Sequence, residues 1–584
     1  MMKSAVSFSK TWMRENFRRY WIVPVLGFMG YFLSSILPVL LCYQRFDIVS
    51  SYASISISNQ NPAIIGIDCI LAVLMAVCVF SYLHNSASVT MIHSFPSGRG
   101  QLFDASALSG FFMMLIPVAA NGILMMSLSG ARTDVSDTVL ASELFSPLRC
   151  LEWIAETMII IFFVYALSVL AGVLAGNRTI HTLLALFLNG LPFVLVIIIR
   201  MAESMFLYGY SDEILANWTL RLSPVSYMAL KGTGSVPSGL QYELLYLPAA
   251  AAVLIIARLV YRRVKLEREE RACVFPLIAD IICILLTFIC AVPSACLMMV
   301  VLTSGAHINN SFRIRYLILF VIFSAVYYLI SRAIADGITH VFNRSTLKKF
   351  GIYAVIAAVF LCFTVFDLSG YSTRTPETSD VAAVEITADL VSDVTGYAPL
   401  RLTGRAAVNK TIALQKELID SREVNDADAD WSTDITITYR LKNGTAMRRT
   451  YSCMYSKDHP ESFRALQTLF AAPEVIEKFT GRISKFQSRA SNISLSLDET
   501  ALQIHRSDWS RLFSAYRKDL RSISGSTLKT LMKNSNLYFL NVEQGNNEST
   551  IYLPVQKSDR NTMKFLQSRG YLKELKTLNS ESDK

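Results

Sequence analysis

Five ionisable residues interrupt long apolar stretches of the chain: Asp68, Glu156, Arg200, Asp280 and Asp336. A charge at bilayer depth is costly, so it marks either a pathway or a pair with a neighbouring helix. Most of these residues fall near the end of an apolar run, where snorkelling or headgroup contact explains them. Glu156 and Asp280 lie deepest. They are the candidate polar sites of a substrate path, with a structural partner on another helix as the plain alternative.

Catalytic constellations are missing. No phosphate-cradling Gly-x-x-x-x-Gly-Lys-Ser/Thr loop, no His-Glu-x-x-His and no Gly-x-Ser-x-Gly occurs. The ten cysteines form no Cys-x-x-Cys pair and no zinc spacing with histidine. Cys69, Cys78, Cys283, Cys290, Cys296 and Cys362 sit in apolar runs as small hydrophobes, and Cys453 stands alone in the polar C-terminal region. The run Asp426, Asp428, Asp430 lacks the glycine and glutamate of a calcium loop and reads as a solvated turn. The chain is therefore expected to be no enzyme, with no metal and no cofactor of its own.

One short stretch is informative. His93-Ser94-Phe95-Pro96-Ser97-Gly98-Arg99-Gly100-Gln101-Leu102-Phe103 combines a rigid proline, two glycines and one arginine with aromatics that have little reason to face water. Seating in a partner's groove would account for Phe95 and Phe103, and burial in the headgroup layer is the alternative.

These residues need elements to hold them. Hydrophobic residues make up 52% of the 584 and charged residues only 17%, and the average hides two regions. Apolar runs of about 20 residues, the length a bilayer core requires, fall at 22–42, 63–83, 107–128, 151–174, 183–207, 244–261, 275–302, 316–334 and 350–368. They predict a polytopic α-helical membrane protein of about nine transmembrane helices. The first run is longer than a signal-peptide core and reads as a retained signal anchor. Ahead of it, residues 1–21 mix Phe8, Trp12, Phe17 and Tyr20 with Lys10, Arg14, Arg18 and Arg19, which suits an amphipathic helix in the cytoplasmic headgroup layer.

Net charge is +10. Lys and Arg cluster in the segments that share a side with the N-terminus, notably Arg258, Arg262, Arg263, Lys265, Arg268 and Arg271. That bias orients the N-terminus to the cytoplasm and argues against nucleic-acid binding. The basic run 258–271 is a topology signal on a solvated helical extension, and it is a further surface on which a cytosolic partner could dock. With an odd number of spans the C-terminal domain lies outside the cytoplasm. Gly172 and Gly176, near Ala171 and Ala175, have the small-residue spacing that lets helices approach closely.

Residues 369–584 read as a soluble α+β domain. Strand patterns at 434–441 and 446–453 flank Asn443-Gly444, a hairpin signal, and a second pair at 537–542 and 549–554 flanks Gly545-Asn546-Asn547. Further strands are expected at 381–390 and 492–497. Helices are expected at 406–418, 461–470, 473–479, 508–520 and 560–567, with Gly570 closing the last. No internal repeat is evident.

The motifs taken together resemble a known family. The basic amphipathic N-terminus, two helices, the His-Ser-Phe-Pro-x-x-Arg loop and Leu108-Ser109-Gly110 entering a helix with Pro117 look like exporter-type ABC transporter permeases. Leu222-Ser223-Pro224-Val225-Ser226-Tyr227 is similar to the stretch before that family's sixth helix. The run from Ile435 to Gly444, followed by Arg448-Arg449-Thr450-Tyr451, resembles the extracytoplasmic domain of a branch from Gram-positive bacteria. The resemblance implies a six-helix permease core over 22–262, an additional membrane segment of about three helices over 263–368, and an extracytoplasmic domain over 369–584. It implies a multi-pass protein of the plasma membrane, moving a peptide, antimicrobial or lipid-like substrate. ATP would be bound and hydrolysed by a separate cytosolic ABC ATPase docked on His93, Phe95, Pro96, Arg99 and Phe103. The partners would be that ATPase, a second permease copy or related chain, and membrane lipids. The competing expectation is a membrane-anchored sensor or scaffold whose outer domain binds a ligand or partner.

Overall fold

The structure, a computed structural model, describes all of the chain except residues 1, 42–54, 56, 58–60, 95–97, 129–144, 212–221, 232–239, 264–273, 304–309, 337–342, 389–398, 422–430, 456–460, 498–499, 522–537, 545–548, 558 and 583–584. Long apolar stretches with no internal polar partner must satisfy their backbone within themselves, which leaves the helix as the available form. The helices are α1 (Met2–Tyr20), α2 (Ile22–Leu41), α3 (Pro62–Val79), α4 (Ser86–His93), α5 (Arg99–Leu128), α6 (Pro147–Leu174), α7 (Arg178–Phe206), α8 (Pro224–Lys231), α9 (Leu240–Arg263), α10 (Pro276–Thr303), α11 (Asn310–Asp336) and α12 (Arg344–Thr364). Nine of them among the described residues, all but α1, α4 and α8, are long and apolar enough to cross a membrane. Start signals are local: the Asn61 and Ser146 side chains accept from backbone N–H groups of the first turn, each just before a proline.

Exposed large apolar side chains concentrate on these helices, as at Ile255, Ile318 and Val355. Among the described residues after 368 the only exposed large apolar side chains are Tyr552 and Leu578. A surface of that kind fits lipid over the helices and water over the remainder. The chain divides into two compact units. The first comprises Met1–Ala202, Glu213–Met299 and Arg315–Val359. Most of α10, α11 and α12 thus groups with the preceding helices. In the core of this unit α6 is the most buried span, and Trp153 and Tyr165 on it are fully enclosed.

α1 is more than a headgroup float. The Trp12 indole donates to Ser106 Oγ at 2.9 Å and the Asn16 amide to Ser109 Oγ at 2.8 Å, both on α5. Arg14, Arg18 and Arg19 are on its exposed face. The amphipathic pattern was read correctly as a helix, but its apolar face packs on protein.

The second unit comprises Glu203–Asp212, Val300–Ile314 and Phe360–Lys584. It carries β1 (Val381–Ala388), β2 (Leu400–Leu402), α13 (Arg405–Asp420), β3 (Trp431–Leu441), β4 (Ala446–Tyr455), α14 (Glu461–Phe470) and α15 (Pro473–Arg489). It continues with β5 (Ala490–Leu497), β6 (Thr500–Gln503), α16 (Trp509–Arg521), β7 (Tyr538–Gln544), β8 (Ser549–Val555), α17 (Arg560–Ser568) and α18 (Tyr571–Ser582). The α+β expectation holds, and both expected strand pairs form, the Gly545-Asn546-Asn547 turn itself lying outside the described residues. Gly444, at φ +83°, makes the first turn, and Gly570, at φ +82°, ends α17.

The unit is a structural duplication, which the sequence had not revealed. Two antiparallel four-stranded sheets have orders β2-β1-β3-β4 and β6-β5-β7-β8, the same path traced twice. In each, the first strand carries a bulge against the third, between Val381 and Ala383 and between Ala490 and Asn492. At the same distance past each bulge a row crosses the sheet: Leu400, Ile386, Ile437 and Arg449 in the first, Leu502, Leu495, Leu540 and Leu553 in the second. The closing helix is clamped alike. Glu474 at the start of α15 accepts from the Thr403 and Gly404 N–H groups just ahead of α13. Tyr571 at the start of α18 accepts from His505 N–H and donates to Asp508, just ahead of α16. Asp508, just ahead of α16, gives its carboxylate to Tyr571 and Arg569.

Candidate functional site

The stretch from His93 to Phe103 is built from two helix ends. α4 starts at Asn85, whose side chain accepts from Ser88 N–H, and ends at His93. α5 opens at Arg99. Phe95 and Pro96 lie outside the described residues, as does the His93 side chain. Arg99 is partly exposed. Phe103 corrects the sequence reading. It is 2% exposed, with its ring centroid 5.4 Å from Phe80 and 5.7 Å from Tyr261. The helix starts early enough to turn this ring into the core, where burial outweighs any contact with a partner.

Around Phe103 an aromatic cluster ties four elements. Trp12 of α1 meets Tyr82 edge-on at 5.8 Å, and the Tyr82 hydroxyl donates to Tyr261 of α9 at 3.3 Å. The Arg258 guanidinium grips Asp104 with Nε to Oδ1 and Nη2 to Oδ2, both at 2.7 Å. Gly100 lets the α9 arginines approach, since a Cβ there would lie 2.7 Å from Arg262 Nη2 and 3.1 Å from Arg258 Nη2. The Leu108-Ser109-Gly110 motif is explained in the same terms. Ser109 accepts from Asn16, and Gly110 has the Tyr165 phenol against its backbone, with that hydroxyl donating to Ala107 O at 3.1 Å. The α5 side of the loop is thus braced by α1 and α9, and on the other side Ile92 of α4 is buried in the same core.

Both deep carboxylates are paired. Lys231, at the end of the short helix α8, reaches Glu156 and Glu243 at 2.9 Å each, with the three side chains 7%, 12% and 0% exposed. Asp280 on α10 accepts from Arg332 of α11 and, at 2.8 Å, from Lys349 of α12. The structure thereby gives Glu156 and Asp280 the structural partners that were the plain alternative. Lys231, Glu243, Arg332 and Lys349 were missed as their partners. A third carboxylate, Asp68, accepts from the Tyr31 hydroxyl at 2.6 Å in full burial.

Gly172 packs against a side chain of its own fold. Its missing Cβ makes room for the His181 ring, which would otherwise sit 2.6 Å away. His181 is fully buried, with Nε2 2.9 Å from Ser168 O and Nδ1 3.1 Å from His84 Nε2. Among the described residues no group of three His, Cys, Asp or Glu could hold a metal ion.

In the soluble unit a polar cluster joins the apolar core face of the first sheet. The Tyr451 hydroxyl accepts from Gln415 at 2.9 Å, and the Arg449 guanidinium lies over the Tyr371 ring. Gly209, at φ +74°, lies against the Tyr451 ring, and its carbonyl accepts from Thr450 N–H at 3.2 Å. Tyr208 donates to Leu418 O at 2.9 Å. The segment after α7 is therefore strapped onto β4 and α13. Cys453 beside it is fully buried, and burial pushes its thiol up to about 11, so it is an inert core residue.

The nine apolar helices define the class: a multi-pass membrane protein with an α+β soluble unit. No protein-family model, no curated protein and no solved structure matches the chain in comparison.

Proposed function

We propose that the chain is the membrane-spanning permease subunit of an ABC transporter, moving a peptide, antimicrobial or lipid-like substrate with ATP hydrolysed by a separate cytosolic subunit. The observation that carries this reading is the braced loop between α4 and α5. A coupling loop must pass a partner's motion to the bundle, so both of its ends must be stiffly held. Here Ile92 of α4 is buried in the core that also holds Tyr82 and Tyr261, and α5 is joined through Ser106, Ser109 and Asp104 to α1 and α9. Phe95 and Arg99 are the contacts assigned to the ATPase, and buried Phe103 anchors the platform. Two ATPases need two loops, so the working unit is a pair of permeases.

The soluble unit is assigned to the outer face. It includes the ends of α7, α10 and α12 and the start of α11, and alternate crossing gives those ends one side. Arg258, Arg262 and Arg263 at the end of α9 belong to the other side, which the positive-inside rule makes cytoplasmic. The strap at Gly209 also suits the second reading, a sensor whose outer domain reports through α7.

The deciding experiment is purification with the candidate ATPase, followed by ATP hydrolysis in lipid. Arg99→Ala with Phe95→Ala is expected to abolish co-purification and stimulated turnover. Unchanged assembly and turnover would refute the loop as the coupling site, and no complex with any ATPase would favour the sensor.

A further inference from the structure

An open groove of about 520 Å³ runs between α5, α6 and α9. That volume is within the range of small-molecule sites. Its walls are apolar, with Phe111, Phe162, Leu247 and Ile255 among them. Its polar residues are Asp104 and Arg258, which are bonded to each other at one end. Leu247 and Ile255 are 37% and 59% exposed, so the groove offers uncovered hydrocarbon surface.

The polar end carries an excess of positive charge. Arg258 and Arg262 both bring guanidinium nitrogens to Gly100, in the first turn of a 30-residue helix, and among the described residues one carboxylate, Asp104, is bonded to them there. The helix dipole adds further positive potential at that end. Arg263 follows on the exposed surface. All of this lies where α9 ends, at headgroup depth for a spanning helix.

We propose that the groove holds one acyl chain of an anionic phospholipid, with the lipid phosphate on Arg258 and Arg262. An apolar slot ending in clustered guanidinium groups complements an alkyl chain ending in a phosphate. A second copy of the chain fits less well, because two-fold pairing about the membrane normal would bring a second set of arginines to the same depth. Lipid binding here requires no ATPase, so its failure and the failure of the transporter reading are separate outcomes.

The test uses the full chain in mild detergent, with phosphatidylglycerol and phosphatidylcholine of identical acyl chains, counting retained lipid by native mass spectrometry. One phosphatidylglycerol is expected to be retained in preference to phosphatidylcholine. Arg262→Ala is expected to cut that preference about fivefold, the equivalent of one arginine near an anionic surface. Ile255→Trp, which fills the groove from an exposed position, is expected to release both lipids. Equal retention of the two lipids by the native chain would overturn the proposal. So would Ile255→Trp changing the number of chains per particle while lipid retention stays the same, which would make the groove a protein interface.

Discussion

The Arg449 guanidinium lies 3.7 Å over the Tyr371 ring, at the place where the second sheet of the soluble unit carries Leu553. Where the second sheet has an aliphatic core residue, the first has a cation that holds the chain just after α12. Arg449→Leu restores the residue type of the second sheet. It is expected to keep the sheet folded, with amide exchange at Ile435 and Ile437 unchanged, while exchange at Tyr371 and Ser372 rises. Loss of protection across β3 would show that Arg449 supports the sheet itself.

Lys231 is the cation between two buried carboxylates. Lys231→Met removes the cation that buried Glu243 and Glu156 share, and a buried charge stripped of its partner costs about 3–5 kcal/mol. Thermal unfolding in detergent should show a large loss. Adding Glu156→Gln and Glu243→Gln should recover most of it, because no buried charge then remains. A single variant as stable as the native chain would contradict the buried pairing.

Gly172→Ala drives a methyl into the fully buried His181 ring. Overpacking of this kind costs about 1–3 kcal/mol. The double variant with His181→Ala should be more stable than Gly172→Ala alone. If His181→Ala instead adds its full cost to that of Gly172→Ala, the two residues do not meet.

Asp559 has its carboxyl pushed up to about 6 by burial first, with the Asp519 charge adding to the rise and the Gln556 N–H opposing it. A folded-state value above the ordinary 3.8 means that the folded chain keeps its proton longer than the unfolded one. Stability is therefore fullest below about 4 and falls as pH rises through about 6. Asp559→Asn, which can still accept from Gln556 N–H, is expected to stabilise the soluble unit by about 1 kcal/mol at pH 7.5, and the gain should vanish near pH 4. Exchange at α17 in the full chain would measure it, and a gain equal at both pH values would rule out titration as the cause.

Side assignment can be tested at Lys442, exposed beside the β3–β4 turn. Lys442→Cys is expected to react with an impermeant maleimide in intact cells, while buried Cys453 stays silent. Reaction only after lysis would move the soluble unit to the cytoplasm.

Local signals sufficed wherever a neighbour in sequence decides the structure. Apolar length marked every spanning helix, Asn443-Gly444 marked its hairpin, and Pro473 opened α15. The edge strands β2 and β6 were not legible, because three and four residues are too few to show alternation. The duplication was not legible either, since two sheets can share strand order and bulge position while their side chains diverge, as Arg449 and Leu553 do.

The sequence by itself determined that the chain crosses a membrane repeatedly and ends in an α+β domain, because hydrocarbon length and strand alternation are properties of consecutive residues. Only the tertiary structure decided the fate of the polar residues. Glu156 meets Lys231 across 75 positions of chain, Asp280 meets Lys349 across 69, and Phe103 turns from the loop into the core. A buried charge or ring settles where packing brings its partner, and that partner belongs to the fold and not to the local sequence.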